Sequence, residues 1–165
     1  MANMLVVAET RGGELRSVAL EVVTAARKAA DAARGEVHAL VFGASGTGAT
    51  AQESLGRHGA VAVIAVEGPG LEHYDAEALA ATVAERLKSG GYRAGFFAAS
   101  AQGRDLAPRV AAALGVSLAS DVTELELTAD ALVAKHPVYV GKAIASVRLT
   151  GTPALASIRP GAKRC

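Results

Sequence analysis

The feature that most narrows what this chain can fold into is an alternation running from Met4 to Leu114. Short runs such as Val37 to Phe42 and Ala60 to Val66, almost wholly apolar, exchange with long alanine-rich stretches of helical period. Ser17 to Ala33 sets Val18, Val22, Ala25, Ala26 and Ala29 on one face of a helix. A strand that is apolar at every position has to be covered on both faces, which a parallel sheet with helical crossovers provides. The pattern therefore predicts an α/β domain with a doubly wound, mostly parallel, Rossmann-like sheet.

The elements follow from that reading. Strands are expected at Met4 to Ala8, Val37 to Phe42, Ala60 to Val66 (buried on both faces) and Ala94 to Ala99. Between them lie helices at Ser17 to Ala33, stopped by Gly35; at Ala49 to His58, after a glycine-rich turn from Gly43 to Gly48; and from an Asp75 cap to about Ser89. Gln102 to Leu114 is the next helix, with Pro108 in its opening turns, where a missing amide is tolerated. After Gly115 the character changes. Val122 to Leu127, Leu132 to Lys135, Val138 to Val140, Ala143 to Leu149 and Ala154 to Ile158 are strand-like with little helix between them, which predicts a β-rich C-terminal extension of hairpins. Turns are expected at Thr128-Ala129-Asp130 and Val140-Gly141-Lys142.

A chain of 165 residues, half of them apolar, buries roughly 70% of its unfolded surface and supports one domain over residues 1–165. Seventeen basic against sixteen acidic residues leave a net charge of +1, which gives no electrostatic case for nucleic acid or an anionic membrane. No apolar run approaches the ~20 residues of a bilayer span, Met1 to Ala8 reads as a strand rather than a leader, and the one cysteine, Cys165, excludes an internal disulfide. A cytoplasmic, reducing setting is the expectation.

In a doubly wound order the Met4 strand is central, the Ala94 strand lies beside it, and a crevice opens between their carboxyl ends. Glu9, Thr10 and Arg11 come to it from one loop and Ser100, Gln102, Gly103 and Arg104 from the other. Those last four are candidate ligand residues, because a turn at the end of a central strand exposes helix amides to the crevice. The bland alternative is that Ser100 or Gln102 caps the helix and Asp105 pairs with Arg109 one turn on. The glycine turn offers a second candidate, with Gly46 and Gly48 cradling a phosphate and Glu67 near the spacing of a ribose acid; against it, such a fingerprint normally follows the first strand of the fold. Ser45 lacks the glycine two residues on that a nucleophile elbow needs, and no lysine follows Gly48 as an ATPase loop requires. His38, His58, His73 and His136 have no ligand spacing, so no metal is expected, and Asp75, Glu77 and Glu85 read as an exposed helix face. No enzyme chemistry emerges.

The order of several segments resembles one family. Leu5-Val6-Val7-Ala8-Glu9, the glycine loop, Asp105-Leu106-Ala107-Pro108-Arg109-Val110-Ala111, Ser120-Asp121-Val122-Thr123, Pro137-Val138-Tyr139-Val140-Gly141-Lys142-Ala143 and Ser157-Ile158-Arg159-Pro160 are similar to the N-terminal domain of the electron transfer flavoprotein alpha subunit. The resemblance implies a fold of the adenine nucleotide alpha hydrolase-like kind. It also implies a heterodimer with a beta subunit, which carries electrons from flavin dehydrogenases, such as acyl-CoA dehydrogenases, to a membrane quinone oxidoreductase and the respiratory chain. FAD belongs to that family's C-terminal domain and AMP to its beta subunit. The flavin signature has no counterpart here, so the resemblance implies a fragment that serves as a scaffold, binds no FAD by itself, and is prone to self-association through surface left uncovered. Two other readings stay open, an autonomous nucleotide-binding module of universal-stress type and a small hydrolase acting through Ser45 or Ser100.

Overall fold

The computed structural model describes residues 2–71 and 73–161, so Cys165 lies outside it. The chain forms β1 (Met4–Val7), β2 (Thr10–Arg11), β3 (Glu14–Leu15), α1 (Ser17–Ala33), β4 (Val37–Gly43), α2 (Thr47–His58), β5 (Ala60–Glu67), α3 (Ala76–Ser89), β6 (Ala94–Ala98), α4 (Ala101–Leu114), β7 (Leu118–Val122), β8 (Glu124–Leu127), β9 (Leu132–Val138), β10 (Ala143–Leu149) and β11 (Ala154–Ile158). Six strands make a parallel sheet in the order β5-β4-β1-β6-β11-β7, with β1 and β6 adjacent near its centre. The expected α/β, doubly wound, Rossmann-like arrangement is thus what forms.

The period-2 pattern divides the sheet's side chains between two cores. Met4, Val6, Ala39, Val41 and Phe96 face α1 and α2, while Leu5, Val7, Leu40 and Phe97 face α3 and α4. Phe96 and Phe97 are both buried, one to each side, and each contributes about 3 kcal/mol by leaving water. The helix ends follow their sequence cues. Asp75 accepts the Ala78 N–H at 3.1 Å and caps α3, and Ser100 accepts the Gly103 N–H at 3.1 Å and caps α4.

Several expectations need correction. The strand at Ala60 to Val66 is not buried on both faces: β5 is the edge of the sheet, and Val61 is 58% exposed. An apolar run states that a strand packs against something, not that a strand pairs with each of its sides. The β-rich extension is smaller than expected, because β11 inserts between β6 and β7 as part of the parallel sheet, leaving only β10-β9-β8 as an antiparallel sheet against α1. The single strand expected at Val122 to Leu127 is split at Thr123 between the two sheets. Conversely, Leu132 to Lys135 and Val138 join as one strand; Pro137 is tolerated because β8 pairs only as far as Lys135, so no ladder bond is required of it on that side. Tyr139 and Val140 are not strand but left-handed turn residues, at φ 53° and 56°. Helix α1 takes its left-handed cap from Arg34, whereas Gly35 is required for clearance: a Cβ there would lie 1.7 Å from the Ala2 carbonyl oxygen.

Candidate functional site

The helix openings at the carboxyl edge of the sheet are where a domain of this shape takes an anion. The glycine loop is tighter than the sequence suggested, since α2 already begins at Thr47 with Gly46 in a left-handed conformation (φ 95°) as its cap residue. A Cβ at Gly48 would stand 2.5 Å from that of Ala65, so the helix start is pressed onto β5. That contact brings Glu67, at the end of β5, to the helix opening. Its Oε2 accepts the Gly48 N–H at 2.8 Å. Hydrogen bonds from the Gly48 and Gly46 amides hold the Glu67 carboxyl below the usual range, so the position a phosphate would take carries a carboxylate of the chain itself.

The crevice between β1 and β6 is closed in the same manner. Ser100 Oγ accepts from Gly103 N and donates to Glu9 Oε1, joining residues 91 positions apart. The second Glu9 oxygen takes the Arg16 guanidinium, and the Glu9 side chain is only 6% exposed. A charge so buried persists because it is paired on both oxygens. Gly103 sits where its absent side chain is essential, since a Cβ would fall 1.7 Å from the Ala98 carbonyl oxygen.

Of the candidates, then, the structure brings Ser100 and Gly103 to the crevice with Glu9. Gln102 is half-buried in the first turn of α4, and Arg104 is exposed. Thr10 turns away to donate to the Phe42 carbonyl at 2.8 Å, and the loop expected at Glu9 to Arg11 is instead a two-stranded hairpin of β2 and β3. Asp105 meets Arg109 at 3.3 Å as anticipated, and also accepts from Tyr74 at 2.7 Å, a partner 31 residues away that spacing does not reveal. Desolvation and that bond to Asp105 push the Tyr74 phenol up, while the same bond, with Arg109, holds the Asp105 carboxyl down. His38 is satisfied in place, with Nδ1 2.6 Å from Tyr92 Oη and Nε2 3.2 Å from Glu36.

A further pair joins the last two strands of the parallel sheet. Asp121 has φ 56°, donates its N–H to Ser157 Oγ at 2.9 Å, and is gripped through both carboxylate oxygens by Arg159, with Nε at 3.1 Å. Arg159 holds the Asp121 carboxyl below its ordinary range, with smaller help from Arg104 and His136. A cleft of about 170 Å³ lies here, lined by Arg104, Pro108, Asp121 and Ser157 among others. It is well short of the ~300 Å³ at which small-molecule pockets begin.

Among the described residues no group of three or more His, Cys, Asp or Glu could hold a metal ion. No helix among them is long and apolar enough to cross a membrane. The fold and these sites define a nucleotide-binding type of α/β domain whose anion cradles are filled from within.

Comparison with known proteins gives the family. A family model described as "Electron transfer flavoprotein domain" matches residues 4–165, and the chain belongs to that family. It is 36% identical over 161 residues to the electron transfer flavoprotein subunit alpha of Syntrophomonas wolfei, covering 98% of this chain and 49% of that protein. It is 32% identical to the alpha subunit of Bacillus subtilis, covering 96% and 47%, and 32% identical to Protein FixB of Clostridium saccharobutylicum, covering 94% and 47%. The chain spans about half the length of the curated relatives it matches.

The family's flavin would need donors for its diphosphate. The described residues do not fit it, since the two helix openings that aim amides at the sheet's carboxyl edge, those of α2 and α4, already end on Glu67 and on the Ser100–Glu9 pair.

Proposed function

We propose that residues 1–165 form one domain, the N-terminal scaffold of an electron transfer flavoprotein alpha subunit. The domain pairs with a beta subunit in a cytoplasmic heterodimer, which carries electrons from flavin dehydrogenases such as acyl-CoA dehydrogenases to a quinone oxidoreductase and the respiratory chain. In this reading FAD is held by other polypeptide of the complex, and these residues carry out no catalytic step. The observation that carries the scaffold assignment is the occupation of both candidate cradles by the chain's own carboxylates. An entering phosphate would have to displace Glu67 from Gly48 and meet the buried charge of Glu9. Electrostatics of that sign disfavour the universal-stress reading as well.

A surface for the beta subunit is available at the tip of the β9–β10 hairpin. Tyr139 (79% exposed) and Val140 lie in the turn of that hairpin, and the exposed Ile144 (70%) follows at the start of β10. Large apolar side chains grouped on a rigid projection are the usual anchors of a protein interface.

Co-expression with a beta subunit of the family tests the proposal. A heterodimer is expected by sedimentation, weakened at least roughly tenfold by Tyr139→Ser with Val140→Ser. Titration calorimetry of the 165-residue protein with AMP, ATP or FAD is expected to give no heat of binding. Stoichiometric flavin binding to this chain alone would defeat the scaffold reading.

A further inference from the structure

The cleft between α4 and the strands β11 and β7 differs from the filled openings of α2 and α4 in holding donors that the chain leaves unused. Ser157 lines it from β11, on the α4 side of the sheet with Leu155, and is 3% exposed. A hydroxyl offers one donor besides its acceptor lone pairs. The Asp121 N–H, turned to Ser157 by a left-handed backbone (φ 56°), takes a lone pair of Oγ at 2.9 Å. The hydroxyl proton of Ser157 has no acceptor among the described residues, and a buried donor of this kind calls for one beside it. At the mouth stand the exposed Ser120 hydroxyl and the exposed guanidinium of Arg104, which the sequence suggested for the β1–β6 crevice and which lines this cleft instead. Among the described residues neither side chain has a hydrogen bond or an ion pair.

Size and charge narrow what the acceptor is. At ~30 Å³ for each water, a cleft of about 170 Å³ has room for roughly five heavy atoms, enough for a carboxyl group with its adjoining carbons and too little for a nucleotide. Asp121 would repel an anion were it free, but Arg159 grips both of its oxygens and makes the pair neutral. The charge left over is that of Arg104. A monoanion balances it, whereas a phosphate dianion would bring excess negative charge beside Asp121. The planar fork of a guanidinium also matches a carboxylate through two parallel hydrogen bonds. Ala107 and Pro108 give the cleft an apolar wall for the carbons next to the carboxyl group.

We propose that this cleft is a carboxylate-binding subsite, in which Arg104 and the hydroxyl of Ser157 take the carboxylate of a small aliphatic acid or of an acidic protein side chain. It shares no residue with the Glu9–Ser100 pair or with Glu67, the two carboxylates that close the other openings.

A nuclear magnetic resonance titration of the 165-residue protein with sodium acetate, against sodium chloride at equal ionic strength, tests this. Saturable shifts are expected at the amides of Arg104, Asp121 and Ser157, with a dissociation constant in the millimolar range. Arg104→Gln and Ser157→Ala are each expected to weaken binding at least roughly tenfold, and Arg104→Lys, which keeps the charge without the fork, by less than Arg104→Gln. Arg11→Gln, at another exposed arginine of the same edge, is expected to change nothing. Should Ser157→Ala fail to fold, Arg104→Gln decides alone, because that exposed side chain has no partner to lose. The amide of N-acetylglutamate, whose only carboxylate is that of the side chain, separates the two sources: tighter binding than acetate points to a protein side chain, weaker binding to a small free acid. Shifts that do not saturate, or that chloride reproduces, mean that the cleft holds water alone and overturn the proposal. Saturable binding that Arg104→Gln leaves intact, or that Arg11→Gln weakens equally, overturns it as well. None of these results bears on pairing with a beta subunit, so this proposal and the scaffold reading fail separately.

Discussion

Replacing one glycine by alanine should stabilise this domain at one helical position and disrupt it at another. Gly56 and Gly103 both lie in helices, and helix propensity alone favours alanine at each by about 1 kcal/mol. At Gly56 a Cβ would have nothing within 4 Å. Gly56→Ala is therefore expected to gain most of that amount, raising the melting temperature by about 2–4 °C for a domain of this size. At Gly103 the same Cβ would stand 1.7 Å from the Ala98 carbonyl oxygen and 2.9 Å from its carbon, backbone atoms that cannot rotate away. The first turn of α4 must then lift from the end of β6 by more than about an ångström. That movement pulls the Gly103 amide off Ser100, and Ser100 off Glu9. Overpacking plus a lost cap and a weakened pairing of a buried carboxylate comes to about 2–4 kcal/mol after the propensity gain is subtracted. Urea titrations of the two variants beside the parent, below the concentration of any self-association, measure both signs. Equal shifts, or a Gly103→Ala variant as stable as the parent, would refute the argument that close approach rather than chain flexibility sets this glycine.

Ser100→Ala should cost about 1–2 kcal/mol in the same titrations, because it removes the cap of α4 and one of the two partners of buried Glu9; a loss under 0.5 kcal/mol, roughly the noise between surface substitutions, would deny the pair its role. Asp121→Asn tests the clasp to Arg159 by its pH dependence. The folded carboxyl is held below its unfolded value of about 3.9, so the clasp's contribution is complete above that value and disappears as pH falls through the folded one. The stability gap between parent and variant should accordingly be constant from pH 5 to 7 and close below about pH 4, and a gap that widens on acidification would contradict the assignment. Asparagine tolerates the left-handed backbone of Asp121, which keeps conformational strain out of the comparison. Glu67→Gln should leave the fold in place but remove the anion from the α2 opening, so weak binding of inorganic phosphate, absent in the parent, is expected by chemical-shift perturbation at Gly46 and Gly48.

Local pattern carried the first half of the fold. The apolar spacing of α1 marks both its ends, and β1, β4 and β6 fall within a residue or two of their apolar runs, because each of these signals is written in consecutive residues. What failed was relational. Nothing in Ala154 to Ile158 distinguishes a hairpin partner of the preceding strand from a parallel strand inserted between β6 and β7, since that choice is made by residues some sixty positions away. β7 itself escaped notice for a local reason: Leu118 to Val122 contains Ser120 and Asp121, the latter at positive φ, so its polar residues mimic a turn. The omission of Val61 from the β4–β5 pairing and the edge position of β5 belong to the same class, being properties of the sheet and not of the strand.

The site posed a different difficulty. Of the residues that close the two cradles three were singled out, Glu67 as a ribose acid, Glu9 as a crevice residue and Ser100 as a ligand candidate or helix cap, yet the sign of their contribution depends on distances of a few ångströms. A carboxylate beside a phosphate loop selects a ribose hydroxyl if it stands away from the helix amides, and excludes the phosphate if it reaches them. The packing of Gly48 against Ala65 decides between the two by carrying the end of β5, and Glu67 with it, up to the first turn of α2. A glycine fingerprint thus predicts a close approach of backbone to something, and in this chain the something is the neighbouring strand. The same logic holds at Gly103, where the space a cofactor would be thought to need is taken by the Ala98 carbonyl. Glycines at the carboxyl edge of a doubly wound sheet are evidence of tight helix–strand packing first, and of a ligand only when the amides they expose remain without an anion of the protein's own.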